Sequence, residues 1–154
     1  MVAGDAAAGA PVHPGPRSVP IPAGMIEAIV RHARDEAPNE ACGVIVGDRA
    51  AADGGTPRRW VAARNKAASP YRYEIDPEEL LRLTLELDEA DESFWAIVHS
   101  HVRSAPRPSP TDRSLAYYPD ALYVLVSLEH DEPEVRAYRI LEGETHEVEL
   151  RVTK

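Results

Sequence analysis

Cysteine is nearly absent: among 154 residues there is one, Cys42. A single thiol excludes an internal disulfide and any zinc site built from four cysteines, and it suits a reducing cytoplasm. Basic residues are also scarce, 17 against 26 acidic ones, for a net charge of −9. That balance argues against non-specific binding to nucleic acid or to anionic membranes. It leans instead toward a basic partner or substrate surface. No apolar run approaches the ~20 residues of a membrane span. The N-terminus lacks a basic stretch followed by an apolar one, so no secretory signal is expected. No internal repeat is present. The length fits one domain with a real hydrophobic core.

Residues 1–20 are rich in Ala, Gly and Pro with little to bury, and are expected to form a flexible tail, leaving 21–154 as the folded domain. Met25, Ile26, Ile29, Val30 and Ala33 recur at helical spacing, which predicts an amphipathic helix over Ala23–Glu36. The run from Ala41 to Gly47 has strand length. Asp53-Gly54-Gly55 reads as a turn, and 58–64 and 71–75 as further strands. Asp76 caps a second helix with Pro77 at its first position, and Leu80, Leu81, Thr84, Leu85 and Leu87 are its expected inward stripe. Phe94–Val98 is apolar without alternation, as in a strand covered on both faces. A loop over 102–110, a short helix from Thr111, and strands at 122–128, 135–141 and 145–152 complete the chain. The alternation predicts an α/β fold, a mixed sheet flanked by helices.

The chemistry concentrates at the end of that apolar strand, in His99-Ser100-His101, Ser109 and Asp112. On an extended segment residues i and i+2 point the same way, so both imidazoles can approach one ion. Asp112 follows after a loop long enough to fold back. Two histidines and one carboxylate leave an open coordination position, the arrangement of a hydrolytic zinc centre. Taken alone, His-x-His is often two exposed histidines, and Ser109-x-x-Asp112 is a capping box with Pro110 at the first helical position. The cap and ligand readings are compatible, because a cap can aim the carboxylate. Glu40, just ahead of the strand at 41–46, is the candidate proton acceptor if that strand lies beside 94–98. Ser109 is the candidate donor to a developing oxyanion. Cys42, in an apolar strand with no basic neighbour, reads as a packing residue. His13, His32, His130 and His146 carry no assigned role, His32 being expected on the exposed side of its helix. Arg103 and Arg107 flank the site and read as a solvated loop.

Glu40, His99-Ser100-His101, Ser109 and Asp112 match the signature of the JAMM (MPN-plus) metalloproteases, an upstream Glu with H-S-H-x7-S-x2-D. The chain resembles that family over about 25–152, most closely its short, stand-alone prokaryotic branch of the CysO-cysteine peptidase type. Asn39-Glu40-Ala41-Cys42-Gly43, Ser69-Pro70-Tyr71-Arg72-Tyr73 and Tyr123-Val124-Leu125-Val126-Ser127 carry that closer likeness. The resemblance implies a cytidine-deaminase-like three-layer fold and Zn2+ held by His99, His101 and Asp112. It gives Glu40 the acid/base role and Ser109 the oxyanion contact. It implies as substrate the Gly-Gly C-terminus of a small ubiquitin-like sulfur carrier, with release of an added cysteine. The chain departs from many members in having Val102, not proline, after the second histidine. Two other readings stand beside this one. Two histidines and a carboxylate also form the facial triad of non-haem iron enzymes, and the same fold can serve as a non-catalytic protein-binding module. A deaminase is disfavoured because no Pro-Cys-x-x-Cys pair exists.

Overall fold

The computed structural model describes residues 15–154. Strand β1 (Ser18–Pro22) runs straight into helix α1 (Ala23–Glu36). Then follow β2 (Cys42–Gly47), β3 (Pro57–Ala63), α2 (Pro77–Ala90), β4 (Ser93–His101), α3 (Pro110–Ser114), β5 (Leu122–Ser127), β6 (Glu134–Leu141) and β7 (Glu144–Thr153). Among the described residues the strands form one seven-stranded sheet in the order β1-β7-β6-β5-β4-β2-β3. The pairs β1/β7 and β4/β5 are parallel and the rest antiparallel, so the sheet is mixed as expected.

Each face of the sheet buries its own cluster. Ile45, Ala96, Val98, Val124 and Val126 pack with Ile29, Val30 and Ala33 of α1. Val44, Val46, Ile97, Tyr123 and Leu125 pack with Leu83 and Leu87 of α2 on the other side. Strand β4 therefore has cover above and below, which is why its sequence shows no polar alternation. Burial of each Val or Ile stabilises the register by about 1.5–3 kcal/mol. A slip of one residue would exchange the two faces. It would also turn His99 and His101, which follow Ile97 at intervals of two, from the α2 face to the α1 face. The core register and the placement of these two histidines are thus one fact.

Local signals account for the helix ends. The Asp76 carboxylate accepts from Glu78 N–H at 3.0 Å and Pro77 opens α2, as anticipated. Glu142 and Gly143, both with positive φ, make the tight turn between β6 and β7.

Four expectations need correction. Residues 18–20 are not tail: they open β1, whose backbone pairs with β7 through Ser18↔Glu149 and Val19↔Leu150. Val19 and Ile21 fill the α1 core, whereas residues 1–14 of the expected tail lie outside the described residues. The segment 71–75 is not a strand. It makes a single bridge, Asn65↔Ile75, because the Asn65 side chain takes the backbone groups of Arg72 and Glu74 that a partner strand would use. The inward stripe of α2 runs through Leu80, Leu83 and Leu87, while Leu81, Thr84 and Leu85 face solvent. Leucines at 80, 81, 83, 85 and 87 supply two helical stripes, and only the tertiary docking selects between them. His32 is half-buried, not on the exposed side: its Nε2 lies 3.1 Å from the Cys42 carbonyl, and its ring packs edge-on to Trp60.

Candidate metal centre

His99 and His101 close β4 and are 1% and 5% exposed, so neither is a surface histidine. After them the chain loops through 102–109, and Ser109 caps α3. The Ser109 Oγ accepts from Asp112 N–H at 3.0 Å, and the Asp112 carboxylate accepts from Ser109 N–H at 2.9 Å. This reciprocal box satisfies two otherwise orphaned donors and turns the carboxylate toward the strand tip. Asp112 Oδ2 then lies 3.1 Å from His99 Nε2 and 3.1 Å from His101 Nε2. One donor atom from each of the three residues lies within 4.8 Å of the others, and all three side chains are buried.

The donor chemistry can be tested against a cation. His101 Nδ1 lies 2.9 Å from the Ala105 carbonyl, which can only accept, so Nδ1 carries a proton. In a neutral ring Nε2 is then a bare lone pair, facing a carboxylate oxygen. Two acceptors at that separation need a proton or a metal ion between them. His99 sharpens the point. Its Nε2 approaches Asp112 without hydrogen-bonding geometry, and neither ring nitrogen has a hydrogen-bond partner among the described residues. Its ring is held instead by stacking on Tyr73, with centroids 4.2 Å apart and planes 19° from parallel. These residues fit a divalent metal bound by two imidazoles and one carboxylate.

The charges agree. Burial by itself would raise Asp112, but contact with the two histidines and the Ser109 N–H outweighs it and holds the carboxyl well below the usual range. Burial lowers the pKa of His99, the Asp112 contact opposing it only in part, so this imidazole stays neutral as a ligand must. Burial also works against charge on His101, yet Asp112, the Ala105 carbonyl and Glu40 together raise its pKa.

Glu40 is brought to this cluster by sheet pairing. Strands β2 and β4 are antiparallel with Cys42 opposite His99, so two residues earlier Glu40 stands level with His101. The expected neighbourhood of the two strands is therefore observed. Glu40 is 4% exposed, and its Oε1 has no hydrogen-bond partner among the described residues. Burial pushes its carboxyl up to about 7, with His101 pulling down and Asp112 pushing further up. A carboxyl poised near neutrality suits proton transfer in both directions. Ser109 Oγ accepts within the cap, which leaves its O–H free to donate.

Three residues that sequence reasoning left unassigned hold this arrangement. Ser100, between the histidines, points to the α1 side, and its Oγ accepts from Ala41 N–H at 2.7 Å, tying the start of β2 to β4. Asn65 is buried and makes four bonds. Its amide donates to the carbonyls of Glu40 (2.9 Å) and Arg72 (3.1 Å), and its oxygen accepts from Ala67 and Glu74 N–H. The Glu40 N–H donates to the Ser69 carbonyl at 2.8 Å, so both backbone groups of Glu40 are held by one loop. Tyr73 is the third. Position 73 follows a proline by three residues and precedes another by four, a spacing that says loop but not which ring the tyrosine meets. Cys42 is buried as anticipated, its thiol pushed up to about 12 by burial and by surrounding carboxylates.

Cavities flank the cluster on two sides. One, of about 320 Å³, is lined chiefly by apolar and aromatic groups, among them Tyr73, Ile75, Leu80, Leu115 and Tyr118, with Asp112 at its edge. The other, of about 250 Å³, is lined by Glu40, Tyr71, His101, Arg103, Ser104 and Ser109 among others.

Comparison with known proteins finds relatives along most of the chain. The family model described as prokaryotic homologs of the JAB domain matches residues 22–141. The CysO-cysteine peptidase of Mycobacterium tuberculosis is 38% identical over 135 residues, covering 87% of this chain and 90% of that protein. The desampylase of Haloferax volcanii is 37% identical over 106 residues, or 66% of this chain and 74% of that one. Among solved structures, a Desulfitobacterium hafniense protein has a TM-score of 0.77 at 28% identity, covering 88% of this chain and 93% of that chain.

Proposed function

The chain belongs to the prokaryotic JAB-domain family, and on that premise we propose that it is a cytoplasmic zinc-dependent peptidase acting on a small ubiquitin-like sulfur carrier. The bond cleaved is the amide after the carrier's Gly-Gly end, with cysteine released. The observation that carries this reading is Glu40: a buried, unpartnered carboxyl beside three converging metal-ligand atoms. Peptidase relatives named for a carrier-cysteine conjugate and for desampylation support the substrate class.

His99 Nε2, His101 Nε2 and the Asp112 carboxylate would hold the ion. When bound, zinc supplies Lewis acidity, polarising the scissile carbonyl and lowering the pKa of a water toward ~7. Glu40 takes a proton from the attacking water and returns one to the departing amine nitrogen. The Ser109 hydroxyl donates to the carbonyl oxygen as negative charge grows on it. Asn65 and Ser100 fix the peptide group that follows Glu40, the Ser69 carbonyl fixes its N–H, and Tyr73 and the Ala105 carbonyl fix the two imidazole rings. A facial-triad iron enzyme has no use for a buried acid/base carboxyl at this point, and a binding module has none for any of it.

The experiment is a carrier ending in Gly-Gly-Cys, incubated with enzyme with and without chelator and followed by intact mass. Cleavage should be chelator-sensitive. Glu40→Gln should keep its metal and lose turnover by about 10²–10⁴-fold. A Glu40→Gln enzyme as active as wild type would remove Glu40 from the mechanism. Chelator-insensitive cleavage would remove the metal.

A further inference from the structure

The smaller of the two cavities has a charge pattern that the reaction alone does not require. Glu40 returns the proton to the amine, and Glu40 lines this cavity, so the amine side of the scissile bond faces it. Arg103 lines the same cavity and is exposed, with no ion pair or hydrogen bond among the described residues. The loop presenting it is pinned by its carbonyls. Ala105 meets His101 Nδ1, Ser104 accepts from the Ser127 hydroxyl at 2.6 Å, and Pro106 accepts from the Tyr138 hydroxyl. An unpartnered guanidinium therefore projects from a fixed backbone beside the place where the leaving group departs. Arg107, on the same loop, is absent from the lining of the cavity.

An α-amino acid carries its nitrogen and its carboxylate on one carbon. This cavity offers Glu40 for the nitrogen and Arg103 for a carboxylate next to it. A lysine side chain leaving from an isopeptide has no carboxylate near its amine. A cavity of about 250 Å³ is below the ~300–1,000 Å³ typical of drug-sized ligands, which suits one small residue. The protein as a whole is strongly acidic, so an anionic leaving group needs a local cation to be held. Resting on the peptidase reading above, we infer that Arg103 is a specificity-determining residue that binds the free α-carboxylate of a single C-terminal amino acid. The enzyme thereby favours carriers ending in one added residue over carriers joined to a lysine side chain.

The test uses the full chain loaded with zinc and two substrates: a ubiquitin-like domain ending in Gly-Gly-Cys with a free carboxylate, and the same domain as its C-terminal amide. Wild type should prefer the free acid by about tenfold or more in kcat/KM, as a charge-assisted hydrogen bond allows. Arg103→Gln should bring the two substrates level, whereas Arg107→Gln should keep the preference. Calorimetric dissociation constants in the Glu40→Gln background, where nothing turns over, should show the same loss for the acid. Discrimination that survives Arg103→Gln, or a wild type that does not discriminate, overturns the role of Arg103 and leaves the peptidase reading standing. Failure of wild type to cleave either substrate overturns both.

Discussion

His99 and His101 stand on a strand with the sheet on both sides of it, whereas Asp112 reaches the same point from a helix of five residues. The histidine half is held by non-local energy: ladder pairing with β2 and β5, and two cores pressing on β4. The aspartate half is held by local chemistry, a capping box and a loop tethered through its carbonyls. In the first half the support is made of residues that do no chemistry. In the second, support and chemistry share atoms, since the cap residue Ser109 is also the proposed oxyanion donor. Damage to a supporting residue should therefore cost stability alone in the first half, and stability together with catalysis in the second.

The largest expected effect falls on the strand half. His99→Ala should abolish metal binding and reduce kcat/KM by at least about 10³-fold. In the metal-free protein it should also cost about 2 kcal/mol, because it opens a void beneath Tyr73 in a close-packed region. Metal analysis and denaturant unfolding of the apo form check both parts, and unchanged apo stability would contradict the close packing of His99 against Tyr73. Ser109→Ala comes next. Loss of the oxyanion donor predicts a fall in kcat of about 10²-fold, and loss of the cap a destabilisation of about 1 kcal/mol, with metal retained at stoichiometric zinc. Metal occupancy falling in step with kcat would reduce Ser109 to a cap.

Glu40 gives a pH signature. Its pKa is raised from 4.5 to about 7 by burial, so in metal-free protein its contribution is complete below pH 4.5 and is lost as pH rises through 7. Glu40→Gln should remove that slope. At pH 8 the metal-free variant should exceed wild type by about 1–2 kcal/mol, after allowance for residual solvent access, and should gain nothing at pH 4. Parallel stability–pH curves would contradict the burial account. The smallest effect concerns Cys42, whose thiol is pushed up to about 12. Thiol reagents at pH 8 should label native protein far more slowly than unfolded protein and leave turnover unchanged.

Legibility in the sequence divides along the same line. His99 and His101 could be read because alternation on a strand is a local rule, and Ser109 and Asp112 because a capping box is another. Glu40 required one further assumption, that two apolar strands pair, and the antiparallel register of β2 with β4 supplies it. Tyr73, Asn65 and Ser100 were illegible because each acts on a partner far along the chain. Asn65 even misled, since the backbone groups it binds belong to a segment with strand-like composition. On α2 the surplus of leucines hid the docked face, and no rule internal to a helix could have chosen it. The early strand β1 escaped notice because Pro20 and Pro22 speak against sheet. It lies at the sheet's edge, beside β7, where a proline is tolerated.

Asn65 sets a limit on what shape alone can preserve. Its amide spends both hydrogens on carbonyls, one of them that of Glu40, and its oxygen on two N–H groups. Aspartate has the same outline and no hydrogens to give, so it would set negative charge against those two carbonyls. Replacing a single nitrogen by oxygen, as spontaneous deamidation does, would loosen the anchorage of the proton carrier without moving any ligand, and an ageing preparation would lose turnover while its bound metal still counted as full.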